Sequence, residues 1–134
     1  MNDLERDEIT RCLQALVRRY CLSESGKWIS DFEWAKIPVE LKDLGGDVVG
    51  KYSFGKIILK ESYDPNLIFS VYVHELRHRW QWITNPVKYI IGKIIRPIIE
   101  RDAYHQQDLA EKWICDSAPT SHLLASWADE TRAN

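Results

Sequence analysis

Residues 71–82 read VYVHELRHRWQW, and within them His74, Glu75 and His78 form the pattern H-E-x-x-H. On an α-helix, positions i and i+4 lie one turn apart on the same face, so both imidazoles can reach one point. Neutral imidazole nitrogen binds zinc well, and a catalytic zinc site keeps one coordination position for water. Glu75, beside the first histidine, is placed to act on that water as a general base. The implied chemistry is hydrolysis assisted by a metal ion.

A catalytic zinc usually takes three protein ligands. Downstream, Ile98-Ile99-Glu100-Arg101-Asp102-Ala103-Tyr104-His105 offers Glu100, Asp102 and His105. Helical spacing puts Glu100 and Tyr104 on one face with the small Ala103 beside them, and Asp102 on the opposite side among Ile98, Leu109 and Trp113. A small residue there lets this helix approach the one carrying His74 and His78, which favours Glu100 over His105 or Asp102. Asp102 needs a partner if it is buried, and can orient a ligand histidine through its free ring nitrogen. For a donor to a developing oxyanion, Tyr104 comes first because it shares Glu100's face, with His105 and His122 behind it.

HELRH followed by ERDAY resembles the zincin metallopeptidases, specifically the gluzincin branch, whose third ligand is a glutamate on a later helix. Many of those carry E-x-x-A at that point, as Glu100 to Ala103 does here. The resemblance covers about residues 47–110 and extends to the minimal gluzincins and small peptidases of bacteria and their phages. It implies one α+β, zincin-like domain over residues 1–134, holding Zn2+ through His74, His78 and Glu100. The implied reaction is peptide hydrolysis, with Glu75 as the base. It also implies that an edge strand above the active-site helix takes the peptide or protein substrate as an added strand, for which Lys56–Lys60 is the candidate. Its lysines also suit the protection of an edge.

This sequence departs from the family pattern at Tyr104, where an aspartate often follows the ligand glutamate by four residues. The metzincin extension is absent, since Arg79 onward reads RWQWITNP, and no cysteine zinc ribbon exists. The same fold can also serve as a non-catalytic binding, structural or regulatory module, a phage-associated one included. The intact Glu75 favours catalysis, because a purely structural site has no need of a base.

These residues need elements to hold them. Leu4, Ile9, Cys12, Leu13, Leu16, Val17 and Tyr20 recur at helical spacing and predict an amphipathic helix over 3–22, with SESG as its exit. Residues 30–44 read as one or two short helices, broken at Pro38 and stopped by Gly45-Gly46. VVGKY and KIILK, separated by Ser53-Phe54-Gly55, predict a hairpin. Asp64 as N-cap and Pro65 at the first position open the H-E-x-x-H helix, which Pro86 ends after Asn85. On that helix Phe69, Tyr72, Val73, Leu76, Trp80 and Ile83 lie opposite the histidines and predict its buried back, while Trp82 falls near the metal-facing side. Further helices are expected over 86–96, from Pro97 to about Cys115, and from Thr120 to about Thr131.

Composition sets the outer bounds. The chain has 134 residues, 45% of them apolar, and a formal net charge of −2. That is one ordinary globular domain, with no electrostatic reason to bind nucleic acid. Three cysteines (Cys12, Cys21 and Cys115) are widely spaced, without a CxxC pair, and the N-terminus MNDLERDE lacks the basic and apolar regions of a secretory signal. A cytoplasmic setting is expected. Pro86 to Ile99 is apolar but interrupted by Lys88, Lys93 and Arg96, too short and too charged to span a bilayer. Its bases cluster on one face, which also suits an interfacial helix; the favoured reading is an amphipathic helix packed on its own domain, with no membrane partner.

Overall fold

The computed structural model describes residues 1–53, 55–94 and 96–133, the last three of these by backbone alone. Among them it is an α+β fold of five α-helices and one three-stranded mixed sheet.

Helix α1 (Asp3–Tyr20) starts on a capping box, in which Asn2 Oδ1 accepts from the Glu5 amide at 2.8 Å and Glu5 Oε1 accepts from the Asn2 amide at 2.9 Å. It buries Leu13, Leu16, Val17 and Tyr20, while Leu4 stays in solvent. The helix stops two residues earlier than its periodicity predicts. The amides of Leu22 and Ser23 bond back to Arg19 and Tyr20 in a tighter i→i+3 pattern, and Ser23 Oγ donates to the Tyr20 carbonyl at 2.6 Å.

Residues 30–44 differ most from the sequence expectation. Two 3₁₀ turns (Lys27–Asp31 and Trp34–Lys36) precede Pro38, and the residues beyond it form strand β1 (Val39–Lys42). Val-Glu-Leu-Lys alternates apolar and charged residues with the period of a strand, but four residues are too few for the pattern to stand out. Strands β2 (Gly50–Ser53) and β3 (Lys56–Lys60) form the expected antiparallel pair, Gly50 opposite Leu59 and Ser53 opposite Lys56. Gly55 takes the left-handed φ of 75° that the tight turn needs, while Phe54 lies outside the described residues.

β1 joins the other side of β3 in parallel, with Val39 opposite Ile57 and Lys42 opposite Lys60, so the strand order is β1-β3-β2. This corrects the expectation for Lys56–Lys60. β3 is the central strand, hydrogen-bonded on both sides and buried at Ile57, Ile58 and Leu59, and has no edge to offer. The lysine at its start pairs with Glu40 of β1.

Helix α2 (Pro65–Thr84) starts where expected, with Asp64 Oδ1 accepting from the Asn66 amide at 3.0 Å and Pro65 in the first turn. It is the axis of the core. Phe69, Tyr72, Val73 and Leu76 are fully buried against α1, the sheet and the last two helices, whereas Trp80 is half-buried and Ile83 exposed. Tyr20, Phe69 and Trp113 meet with ring centroids 5.2 to 5.5 Å apart, tying α1 and α2 to α4. Asn85 and Pro86 end α2, and the chain turns through α3 (Pro86–Ile94) into α4 (Pro97–Ser117) and α5 (Ser121–Ala133). No described helix is long and apolar enough to cross a membrane.

α3 and α4 approach closely at Gly92, where an added Cβ would stand 2.4 Å from Cγ2 of Ile99. Helix propensity alone makes Gly92→Ala stabilising by about 1 kcal/mol. The steric overlap with a β-branched side chain opposes this and dominates. Gly92→Ala is expected to lower stability by about 1–3 kcal/mol in urea unfolding, and an unchanged or raised midpoint would show that the two helices separate freely.

Candidate metal centre

The middle of α2 presents His74, Glu75 and His78, all nearly sealed from solvent, with donor atoms within 4.8 Å of one another. α4 returns alongside α2, and the contacts run in opposite directions along the two helices: His74 meets Tyr104, His78 meets Glu100, and Gln81 meets Ile99. Ala103, fully buried between them, allows this proximity. Glu100 Oε1 lies 2.9 Å from His78 Nε2 and Glu100 Oε2 lies 3.3 Å from His74 Nε2. One carboxylate thus faces both imidazole nitrogens. Glu75 stands further out, its nearer oxygen 3.9 Å from His74 Nε2.

His78 is held from behind. Its Nδ1 lies 2.9 Å from Gln81 Oε1, and Gln81 Nε2 donates to the Ile99 carbonyl and to Asp102 Oδ2, each at 2.9 Å. With the amide's donors committed to those oxygens, its own oxygen faces the ring. The Nδ1 proton is thereby fixed and Nε2 turned to the cleft. Asp102 is held in turn by Arg77, through Nε at 2.7 Å and Nη2 at 3.2 Å. The Arg77 guanidinium lies over the Trp80 ring at 3.7 Å and the Trp28 ring at 4.8 Å. Burial pushes the Asp102 carboxyl up, but the hydrogen bonds from Arg77 and Gln81 outweigh it and hold the group below its usual range. Asp102 therefore acts on a histidine, as its position suggested, but through Gln81. The sequence reading missed Gln81, and its only signal there is its i+3 position after His78.

His74 lacks such a hold. No well-formed hydrogen bond reaches its Nδ1, although Gln107 borders the ring. Burial and the neighbouring His78 disfavour its charged form, and Glu100 partly restores it. Glu75 Oε2 is also buried without a hydrogen-bond partner among the described residues. Burial, reinforced by Glu100, raises the Glu75 carboxyl from 4.5 to about 8.

Above these groups opens a cleft of about 620 Å³, whose walls include Lys51 and Tyr52 of β2, Tyr89 and Lys93 of α3, Arg96, Glu100 and Tyr104. The Tyr104 ring lies edge-on to His74 at 4.6 Å, and the side chain is half exposed. Tyr89 is a further cleft residue that periodicity did not single out. Nearly buried, 6.3 Å from the His78 ring, it is pushed up to about 12 by burial first and then by Tyr52, Glu75 and Glu100. It reaches the cleft only because the chain folds back at Pro86. His105 and His122 are exposed and line no part of it. Trp82 also stays outside, packing on Tyr89 at 5.9 Å. β2, the outer strand on this side, borders the cleft in place of β3, and Arg79 fastens it to α2 by donating to the Tyr52 hydroxyl at 3.1 Å.

No protein-family model, curated protein or solved structure matches the chain. What the site can bind must be read from its own donors. Two imidazole nitrogens and a carboxylate form a set that zinc accepts at sites with an open position. The Glu75 carboxylate, with one of several buried polar oxygens and nitrogens that lack a partner among the described residues, lines the cleft beside the two imidazoles, where a water or an ion can reach it. The residues present fit a zinc ion.

The raised Glu75 carboxyl has a measurable consequence. The folded chain without metal holds that proton more tightly than the unfolded chain. This contribution to stability is complete below about pH 4.5 and is lost as pH rises through about 8. Metal-free wild type is therefore expected to lose a few kcal/mol over that window relative to Glu75→Gln, on the basis of about 1.4 kcal/mol per pKa unit. Parallel stability profiles of the two proteins in chelator would refute the assignment.

Proposed function

We propose that the chain is a zinc-dependent metallopeptidase of the gluzincin type, with a zincin-like fold, and that His74, His78 and Glu100 hold the metal. The observation that carries this reading is the single Glu100 carboxylate facing both imidazole Nε2 atoms, at 3.3 and 2.9 Å, beside a buried and unpartnered Glu75. Glu100 suits a ligand better than Glu75 because its two oxygens reach both rings.

Bound there, zinc supplies Lewis-acid polarisation of a carbonyl and of water. The chain's residues do the remainder. Glu75, buried beside the two histidines, takes the proton of the attacking water and passes it to the leaving amine. Tyr104 and Tyr89 border the cleft from two helices as donors to a developing oxyanion, and the Tyr89 phenol, pushed up to about 12 by burial, keeps its proton across the working range. Gln81 fixes the orientation of His78 throughout. A peptide lies along the outer edge of β2, the strand that borders the cleft, adding backbone hydrogen bonds there.

The side chains around the cleft also favour one kind of peptide. Lys51, Lys93 and Arg96 line it and make no ion pair among the described residues, and the only acids in its wall are Glu75 and Glu100. An acidic side chain or a free terminal carboxylate on the substrate matches this rim.

Elemental analysis is expected to find about one zinc per chain, lost in His78→Ala and in Glu100→Ala. Glu75→Gln should keep the metal and lower peptide cleavage by about 10²–10⁴-fold. Zinc with no cleavage in the wild type would leave a metal-binding module without catalysis, and no zinc after reconstitution would remove the whole reading. Among peptides matched except for charge, acidic ones should show the lower KM, and Arg96→Glu should reverse the order. A KM indifferent to peptide charge would remove the rim from substrate selection.

A further inference from the structure

Large aliphatic side chains are exposed here and there on this protein, but they concentrate in one place. Val87, Ile90, Ile91 and Ile94 of α3 are all exposed, Ile94 by 81%, and Ile98 at the start of α4 continues them. On the helix they stand at i, i+3, i+4 and i+7, a single ridge. The opposite side of α3 carries Tyr89 and Gly92, which bury it against the domain. α3 does pack on its own domain, as its amphipathic sequence led us to expect, but it does so by the narrow side. The branched aliphatic face is left outward.

Charge around the ridge is one-sided. Between Glu75 and Glu100 the sequence has no acid, in a chain whose net charge is −2; of the basic residues there, Arg77 and Arg79 on α2 are held by Asp102 and Tyr52, which leaves Lys88, Lys93 and Arg96 on or beside α3. By helical spacing, Lys88 and Lys93 occupy the two margins of the ridge. Asp102 borders a second cavity shared with Lys88, but is already committed to Arg77 and Gln81. Trp82 stands exposed near the ridge's α2 end, packed on Tyr89.

We infer that α3 is a docking surface for an anionic lipid bilayer, lying in the interface with its aliphatic ridge turned into the headgroup boundary. Three properties fit that occupant. The ridge has only hydrocarbon to present and no polar group to fix a protein partner's register. At one margin Lys88 is exposed and can extend its stem over apolar surface while its amine meets lipid phosphate; at the other, Lys93 lies over the Tyr89 ring on the cleft side. The absence of acids over the whole stretch suits a surface of negative potential. The inference stands on the α3 surface alone and does not depend on the metal centre.

The test is co-sedimentation of the full chain with sucrose-loaded vesicles of phosphatidylcholine, with and without about one-third phosphatidylserine. Binding to the anionic vesicles should exceed binding to neutral ones by about tenfold and weaken with added salt. The double substitution Ile90→Ser with Ile94→Ser should reduce it by at least about tenfold, and Lys88→Glu by a similar factor without removing any apolar surface. All three positions are exposed, and circular dichroism checks that the variants remain folded. No sedimentation, or equal sedimentation with neutral vesicles, would overturn the inference. So would a concentration-dependent dimer that Ile94→Ser dissociates while vesicle binding is absent, since that assigns the ridge to a second copy of the chain.

Discussion

Two imidazoles and a carboxylate at the centre of the most buried helix are withdrawn from water, and an ionisable group so placed costs free energy unless something answers it. The answer comes almost entirely from α4. Glu100 faces both rings, and Gln81 and Asp102 tie His78 to the α4 backbone and to Arg77. Of these three side chains, Glu75 Oε2 and His74 Nδ1 find no hydrogen-bond partner among the described residues. The pairing of α2 with α4 is therefore the constraint on which the other elements depend: α1 and the sheet bury the back of α2, α5 packs on α1, and α3 is the link that lets α4 return.

The two histidines are supported unequally. Behind His78 stands a chain of fixed donors and acceptors that ends on a guanidinium lying over the Trp80 ring with Trp28 at its side, so its orientation is set before any ligand arrives. His74 is confined by the rings of His78 and Tyr104 but has no comparable anchor. The centre thus combines one imidazole whose orientation is fixed with one that can adjust.

What could be read from the sequence was what local chemistry decides. Asp64-Pro65 and Asn85-Pro86 bracket α2 because caps and prolines act within a turn, and Glu100, Ala103 and Tyr104 share a face because helical spacing alone places them there. What could not be read depends on contacts distant in the chain. KIILK looks like any lysine-flanked strand, and nothing in it says that Val39–Lys42 will pair on its far side and make it central. Tyr89 and Gln81 likewise acquire their roles only when the break at Pro86 folds α3 and α4 back onto α2. The outward aliphatic face of α3 escaped for the converse reason. Amphipathicity shows that a helix has two faces and leaves open which one the domain keeps.

His74 and Glu100 are 26 residues apart, and the intervening chain is almost wholly helical. Loop-closure entropy grows only with the logarithm of separation, and stiff helical segments shorten the effective loop further. Bringing the donors together thus demands little of the remainder of the chain. The sheet asks for no more: β1 meets β3 across 18 residues (Val39 opposite Ile57) and β2 meets it across 9 or fewer (Gly50 opposite Leu59). The contacts that join α2 to α4 run from 18 residues, between Gln81 and Ile99, to 30, between His74 and Tyr104. Helix pair and sheet alike are thus closed over short and middle separations, and the donors meet without any contact that has to close a long loop.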